Sequence, residues 1–383
     1  MTTLPAGFSI EFFNSVGGAA FMLRLIEEWR SRGARVDAHH ALGEAEYRAG
    51  SRLARRWRMY PGFAWSAYSR CRSAAASPSA RIVTTNPFFA PLLVARASRG
   101  RCATVNLVYD LFPDALVLAG ATRRGSWVAR RCEGVTRRAL RECDATVFLG
   151  ERLRAHAEAT YGPARLSAVI PVGADGAPFR SRPPAALPEG SRVRILYCGL
   201  MGSMHEHSTL RALWARRGGS DVSWAFHAAG SGYAQLRRAP PAGAGVEWGS
   251  PLADDAWREA MLRSQVALVT MVPGAERVAM PSKTYSALVA GQAVLAVCPQ
   301  HSDLADLVRR HGCGWVVEPG DVDGLRAAVE EISAGGPGLL ARRSRAFEAG
   351  HRLYDMSAVA DLWVELLAGL SPVPGTRMEA VAP

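Results

Sequence analysis

One pattern limits what this chain can fold into more than any other: a short apolar run, a loop and an amphipathic helix follow one another repeatedly. Residues 8–13 (Phe-Ser-Ile-Glu-Phe-Phe) read as a buried strand, Asn14-Ser15-Val16-Gly17-Gly18 as a loop, and residues 19–32 as an amphipathic helix. Arg81-Ile-Val-Thr-Thr85 is strand-like and ends at Asn86-Pro87; a helix over 88–97 then leads to a strand at 103–109. An arginine-rich helix at 124–142, a strand at 144–149, a helix at 150–160 and a strand beginning at Ser167 complete the series. Strands that alternate with helices cannot be joined by tight hairpins, so the alternation predicts an α/β fold with a parallel sheet.

The series then stops and restarts. Residues 177–192 hold four prolines and little periodicity, as an interdomain linker does. A second alternation begins at Val193-Arg-Ile-Leu-Tyr-Cys198, with further strands expected at 222–228, 246–248, 266–271, 293–297 and 314–317, and helices near 254–263, 282–290, 302–310 and 321–333. A chain of 383 residues exceeds what one hydrophobic core organises, and two units of roughly 150 to 200 residues fit it. The expected division is residues 1–176, the linker 177–192, residues 193–355, a last helix at 356–370, and a polar tail at 371–383 expected to be disordered.

Composition narrows the functional classes. No run of about 18 apolar residues and no basic, apolar, small-residue leader occurs, so a cytoplasmic location is expected. Seven dispersed cysteines, never in CxxC spacing, argue against a disulfide framework or a zinc site. A net charge of +12 invites a nucleic-acid reading, but Lys283 is the only lysine among 46 Lys plus Arg. So complete a bias to arginine points to solvated surface charge rather than to a nucleic-acid face, and it makes the lone lysine the informative cation.

Two constellations carry chemistry. Gly199-Leu-Met-Gly202 ends a strand ahead of a helix, where glycines let backbone N–H groups face an anion; a tight turn would use the same residues. GxGxxG is absent from both strand starts, which counts against a dinucleotide dehydrogenase. Pro281-Ser282-Lys283 opens a helix that stops at Gly291, with Ser282 placed to cap it. A lysine in a first turn opposes the helix dipole unless something negative binds there, so Lys283 is read as a phosphate-binding residue.

The order of motifs resembles glycosyltransferase family 4, in particular bacterial members acting on polysaccharide or antibiotic precursors. Ile170-Pro-Val-Gly-Ala-Asp175 is similar to the family's IPNGVD, Gly199–Gly202 to its GNLG loop, and Ala229-Gly-Ser-Gly232 to its GDGP turn. Val246-Glu-Trp-Gly-Ser-Pro-Leu252 resembles FLGRVP, the stretch from Pro281 to Gly291 resembles PSKLFEYLAAG, and Gly314–Asp321 resembles GLVVPPGD. Tyr109-Asp-Leu-Phe-Pro-Asp114 resembles RDLWPE; the match is strong after residue 165 and weak before 80. The resemblance implies a GT-B fold, two Rossmann-like domains facing across a cleft, with the acceptor held by the first and the nucleotide sugar by the second. It implies that Gly202 and Ser203 meet the donor diphosphate, that Lys283 neutralises it, that Gly17 and Gly18 close over it, and that the loop Trp248–Leu252, with Ser250, holds the base.

Two departures stand out. The family's ribose-binding glutamate is replaced by Ser286, and the basic residue after the diphosphate loop by Met204-His205-Glu206-His207, of which His205 is a candidate phosphate contact. The resemblance further implies retention of configuration by front-face attack, in which the leaving phosphate takes the acceptor proton and no catalytic carboxylate pair is needed. Asp110 is then a candidate to orient an acceptor hydroxyl, and Asp114 either an acceptor contact or a helix cap. Acidic pairs at Asp303 and Asp306 and at Asp321 and Asp323 fall on helix starts, so no metal is expected.

Residues 52–72 interleave six arginines with Trp57, Tyr60, Phe63, Trp65 and Tyr68, a composition that suits a membrane interface, a lipid-diphosphate acceptor or nucleic acid, and equally an inward-packed helix; no repeated binding module accompanies it. The expected activity is transfer of a sugar from a nucleoside diphosphate sugar, used as co-substrate without a resident cofactor, to a hydroxyl or other nucleophile of a small-molecule or lipid-linked acceptor. The alternatives are a sugar-nucleotide 2-epimerase on the same fold, or a catalytically idle sugar-nucleotide-binding subunit, which the serine at 286 would suit.

Overall fold

The computed structural model describes residues 4–16, 20–43, 52–73, 77–98, 100–216, 222–238 and 245–370. Gly17, Gly18 and the tail 371–383 lie outside them. The first sheet is built from β1 (Ser9–Phe13), β2 (Arg35–His39), β3 (Ala80–Thr84), β4 (Ala103–Val108), β5 (Ala145–Phe148) and β6 (Ser167–Val169), in the spatial order β2-β1-β3-β4-β5-β6. Its helices are α1 (Ala20–Ser31), α2 (Arg52–Ser73), α3 (Ala90–Ser98), α4 (Asp114–Leu118), α5 (Trp127–Glu142) and α6 (Glu151–Tyr161).

The second sheet contains β7 (Arg194–Leu200), β8 (Ser223–Ala229), β9 (Val246–Gly249), β10 (Val266–Thr270), β11 (Ala293–Val297) and β12 (Gly314–Val317), in the order β12-β11-β10-β7-β8-β9. The intervening helices are α7 (Ser208–Arg216), α8 (Ser231–Arg237), α9 (Asp254–Arg263), α10 (Lys283–Val289), α11 (Asp303–His311), α12 (Val322–Ala334) and α13 (Gly336–Ala349), and α14 (Met356–Leu370) ends the described chain. All strand pairs are parallel. Every residue of β10 and β11 is buried, as expected of strands covered by helices on both faces.

Three elements escaped the sequence pattern. β2 has an edge-strand burial pattern in which only Val36 is buried, so its residues carry little apolar signal. α8 starts at Gly230-Ser-Gly232, where only a turn was expected, and α13 carries its apolar residues among three arginines.

The last helix does not stay with the second sheet. α14 lies against α1, with Trp363 edge-on to Trp29 at 5.5 Å and both rings almost fully buried. The chain gets there through a knot of contacts with the stretch after β6: Ala174 N–H donates to Tyr354 O at 2.9 Å, and Met356 N–H to Ala174 O at 2.9 Å. Gly173 is required here, since φ is +71° and a Cβ would sit 2.7 Å from Val359 Cγ2. A second junction joins α6 to α11. The Asp303 carboxylate accepts from the amides of Arg152 and Leu153 at 3.0 and 3.1 Å, capping a helix of the other half, and Arg152 pairs with Asp306.

Candidate functional site

In the second sheet the chain leaves β7 toward β8 on one side and later returns to β10 on the other. The carboxyl ends of β7 and β10 therefore form the topological switch point at which open α/β sheets leave a crevice. A cleft of about 1480 Å³ opens there. Its floor comes from Cys198, Gly199, Thr270, Met271 and Lys283, and one wall from 279–282 with Ser286. The facing wall belongs to the first half of the molecule: Arg24, Glu27 and Glu28 of α1 and the stretch 172–175 after β6.

Lys283 stands half-buried on this floor. Its ammonium lies 3.9 Å from the centre of the Tyr197 ring and donates to Tyr197 Oη at 2.5 Å and to the Leu200 carbonyl at 3.2 Å. Among the described residues no carboxylate pairs with it. Loss of hydration without a counter-charge pushes its pKa down to about 7. An anion entering the cleft would reverse that shift, because a nearby opposite charge favours the ammonium form.

His205 is the second polar group of the floor. Burial, followed by the nearby Lys283 charge, pushes its pKa down to about 3, so the ring is neutral at physiological pH. Its Nδ1 accepts from the Gly202 amide at 3.1 Å, which leaves the proton on Nε2 as a donor. The loop that carries it is locked by close backbone packing. Gly199 has φ +106°, and at Gly230 a Cβ would meet the Met201 carbonyl oxygen at 2.5 Å.

The structure brings Gly199, His205, Leu252, Ser282, Lys283 and Ser286 to the cleft and leaves other expected residues outside it. Gly202 spends its amide on His205, and Ser203 is exposed. Trp248, expected at the base, is stacked on Phe226 at 5.0 Å and edge-on to Trp214; apolar burial claims the ring, and Ser250 behind it is exposed. Ser282 occupies the position before α10 but makes no capping hydrogen bond, because its backbone is already helical (φ −61°, ψ −28°) and its Oγ is not directed at the first amides.

The two acidic candidates do not line the cleft. Asp110 lines a separate void of about 10 Å³ with Thr85, Asn106 and Phe112. Its neighbour Leu111 donates to the Val278 carbonyl at 3.1 Å, so this loop serves as a contact between the two halves. Asp114 is 5% exposed and is the first residue of α4, after Pro113 at the cap position: Tyr161 Oη donates to it at 2.5 Å, and His156 and Arg124 lie at 3.3 and 3.1 Å. Burial alone would raise its pKa, yet hydrogen bonds from His156 and Tyr161 hold it below the usual carboxylate range.

Sequence reasoning missed Tyr197, which reads as an ordinary strand aromatic, and the α1 wall, where Arg24 meets Asp175 at 3.1 Å. Tyr197 is 86 residues from Lys283 in the chain, and only the pairing of β7 with β10 brings them together.

No protein-family model matches the chain. The Pseudomonas aeruginosa protein named "Probable glycosyltransferase WbjE" is 25% identical over 252 residues, 60% of this chain and 59% of that protein, so the match spans less than two thirds of the relative's length. Among solved structures, sucrose-phosphate synthase from Thermosynechococcus elongatus superposes with a TM-score of 0.71 at 14% identity, over 94% of this chain and 100% of that one. Anabaena HepE, solved in complex with UDP and glucose, superposes with a TM-score of 0.67 at 14% identity, over 95% of this chain and 100% of that one. With two six-stranded parallel sheets facing across a cleft, and with these structural likenesses, the chain has the GT-B fold.

Proposed function

We propose that this chain is a glycosyltransferase of the family 4 kind, which binds a nucleoside diphosphate sugar in the cleft and passes the sugar, with retention, to a nucleophile of a small-molecule or lipid-linked acceptor. The observation that carries this reading is Lys283: the only lysine of the chain, half-buried on the cleft floor and, among the described residues, without a carboxylate partner. A diphosphate supplies the charge that this site lacks. His205 Nε2–H is a second donor whose neutrality persists across the physiological range, and Ser282, Ser286 and Leu252 complete the donor wall.

In this reading the bond between the anomeric carbon and the diphosphate oxygen breaks as the acceptor oxygen bonds to the same face of that carbon, and the acceptor proton passes to the departing phosphate. Lys283 and His205 stabilise the charge that grows on the diphosphate, the main electrostatic task of the step. The reading extends to the membrane. Among the described residues no helix is long and apolar enough to cross a bilayer, but α2 has no acidic residue and exposes Trp65 and Tyr68, and α5 exposes Trp127 under Arg131. Exposed aromatics beside arginines suit contact with an anionic surface carrying a lipid-linked acceptor.

The test is a thermal-shift and calorimetric screen against UDP, GDP, dTDP, ADP and CMP, with and without magnesium, followed by incubation with UDP-glucose, with which HepE was solved in complex. Selective binding of one diphosphate and slow release of free sugar from its donor support the reading. Binding without hydrolysis or transfer marks an idle subunit, conversion of the donor without acceptor marks an isomerase, and no binding by any nucleotide refutes a donor site.

A further inference from the structure

The geometry around Lys283 assigns a role to a residue that the resemblance leaves unmentioned. We propose that Tyr197 is a positioning residue for Lys283: its ring face and hydroxyl, with the Leu200 carbonyl, hold the amine at the place on the cleft floor from which it meets the diphosphate. The inference rests on the reading that the cleft takes a diphosphate, and its test separates the two.

Three contacts converge on one amine. The ring centre lies 3.9 Å from Nζ, the Tyr197 hydroxyl accepts from it at 2.5 Å, and the same hydroxyl donates onward to the Leu200 carbonyl at 2.8 Å. That carbonyl also accepts from Nζ at 3.2 Å, closing a ring of bonds around the ammonium. Tyr197 is itself immobilised: it is 1% exposed, stacks on Phe226 at 6.2 Å and meets the edge of His205 at 6.2 Å. A lysine side chain has four rotatable bonds and high rotamer entropy, so a rigid aromatic platform reduces the cost of ordering it when ligand arrives.

The same contacts favour the ammonium form of Lys283 against the burial that disfavours it. The other titratable groups facing the amine are the Cys198 thiol of β7 and the neutral His205 ring, and neither offers a formal negative charge at neutral pH. Tyr197, together with the Leu200 carbonyl, is therefore what keeps the lysine chargeable near neutrality. A purely structural aromatic would not affect that titration.

Because the chain has a single lysine, protein labelled with 13Cε-lysine gives one side-chain resonance whose titration reads Lys283 directly. In the unaltered protein its ε-methylene protons are expected upfield of their unfolded position, shifted by the Tyr197 ring current. Tyr197→Phe keeps the ring and removes the acceptor; its Lys283 pKa is expected about one unit lower, the size of a lost charge-assisted hydrogen bond. The pH above which the UDP dissociation constant begins to rise moves down by the same amount. Tyr197→Leu removes the ring as well and moves both further. A lysine resonance with no ring-current shift in the unaltered protein overturns the proposal, as does a Tyr197→Phe titration equal to that of the unaltered protein. Absence of UDP binding would instead overturn the donor reading, while the lysine titration still reports on Tyr197.

Discussion

Replacing Lys283 by methionine should make the empty protein more stable and the liganded one weaker, a crossing of signs that few substitutions produce. Burial lowers the lysine from 10.5 to about 7, so between these values the unfolded chain binds more protons than the folded one. Stability attributable to this residue therefore rises with pH across that window, and the full penalty applies below pH 7. At about 1.4 kcal/mol per unit the shift corresponds to roughly 5 kcal/mol. Solvent screening at a half-buried amine reduces that to about 1 to 2 kcal/mol. Methionine matches the length of the stem and carries no charge, and the Tyr197 hydroxyl keeps its bond to the Leu200 carbonyl. The ligand-free melting midpoint of Lys283→Met should rise by about 2 to 8 °C at pH 6.5 and converge with that of the unaltered protein as the pH approaches 10. The dissociation constant for UDP at pH 6.5 should rise roughly 10- to 100-fold, the range of one charge-assisted hydrogen bond. Melting curves with and without UDP at pH 6.5 and pH 9.5 read both effects. A lower midpoint in the empty variant at pH 6.5, or an unchanged UDP affinity, would refute the electrostatic reasoning.

Three further perturbations test the frame around the cleft. Gly150→Ala places a Cβ 2.2 Å from Asp303 Oδ2 and evicts the carboxylate that caps α6, so urea denaturation should show a loss of about 1 to 3 kcal/mol; an unchanged midpoint would deny that junction its role. Glu11→Gln leaves the Arg81 guanidinium, with a fully buried side chain and paired to Glu11 at 2.7 Å, without its counter-charge, and the expected cost is about 3 to 5 kcal/mol by the same assay. Trp65→Ala with Trp127→Ala, two rings 72% and 66% exposed, should reduce co-sedimentation with phosphatidylglycerol vesicles several-fold while leaving UDP binding unchanged; equal sedimentation of variant and unaltered protein would remove the membrane reading.

The sequence by itself determined the α/β class, the two alternating series and most strand positions, because buried parallel strands must be short apolar runs and their helices must alternate with them. It also singled out Lys283 as the candidate cation, because a residue type used once stands out against a background of arginine. It could not assign the partners. That Trp248 stacks on Phe226, that Asp114 meets Tyr161 and that the Gly202 amide is given to His205 depend on which strand lies beside which. Only the tertiary structure decided these, and it alone set Tyr197 beneath Lys283. Local periodicity records which residues avoid water, whereas a site is made by side chains from distant strands and helices converging at a sheet's switch point, and no local interaction encodes that meeting.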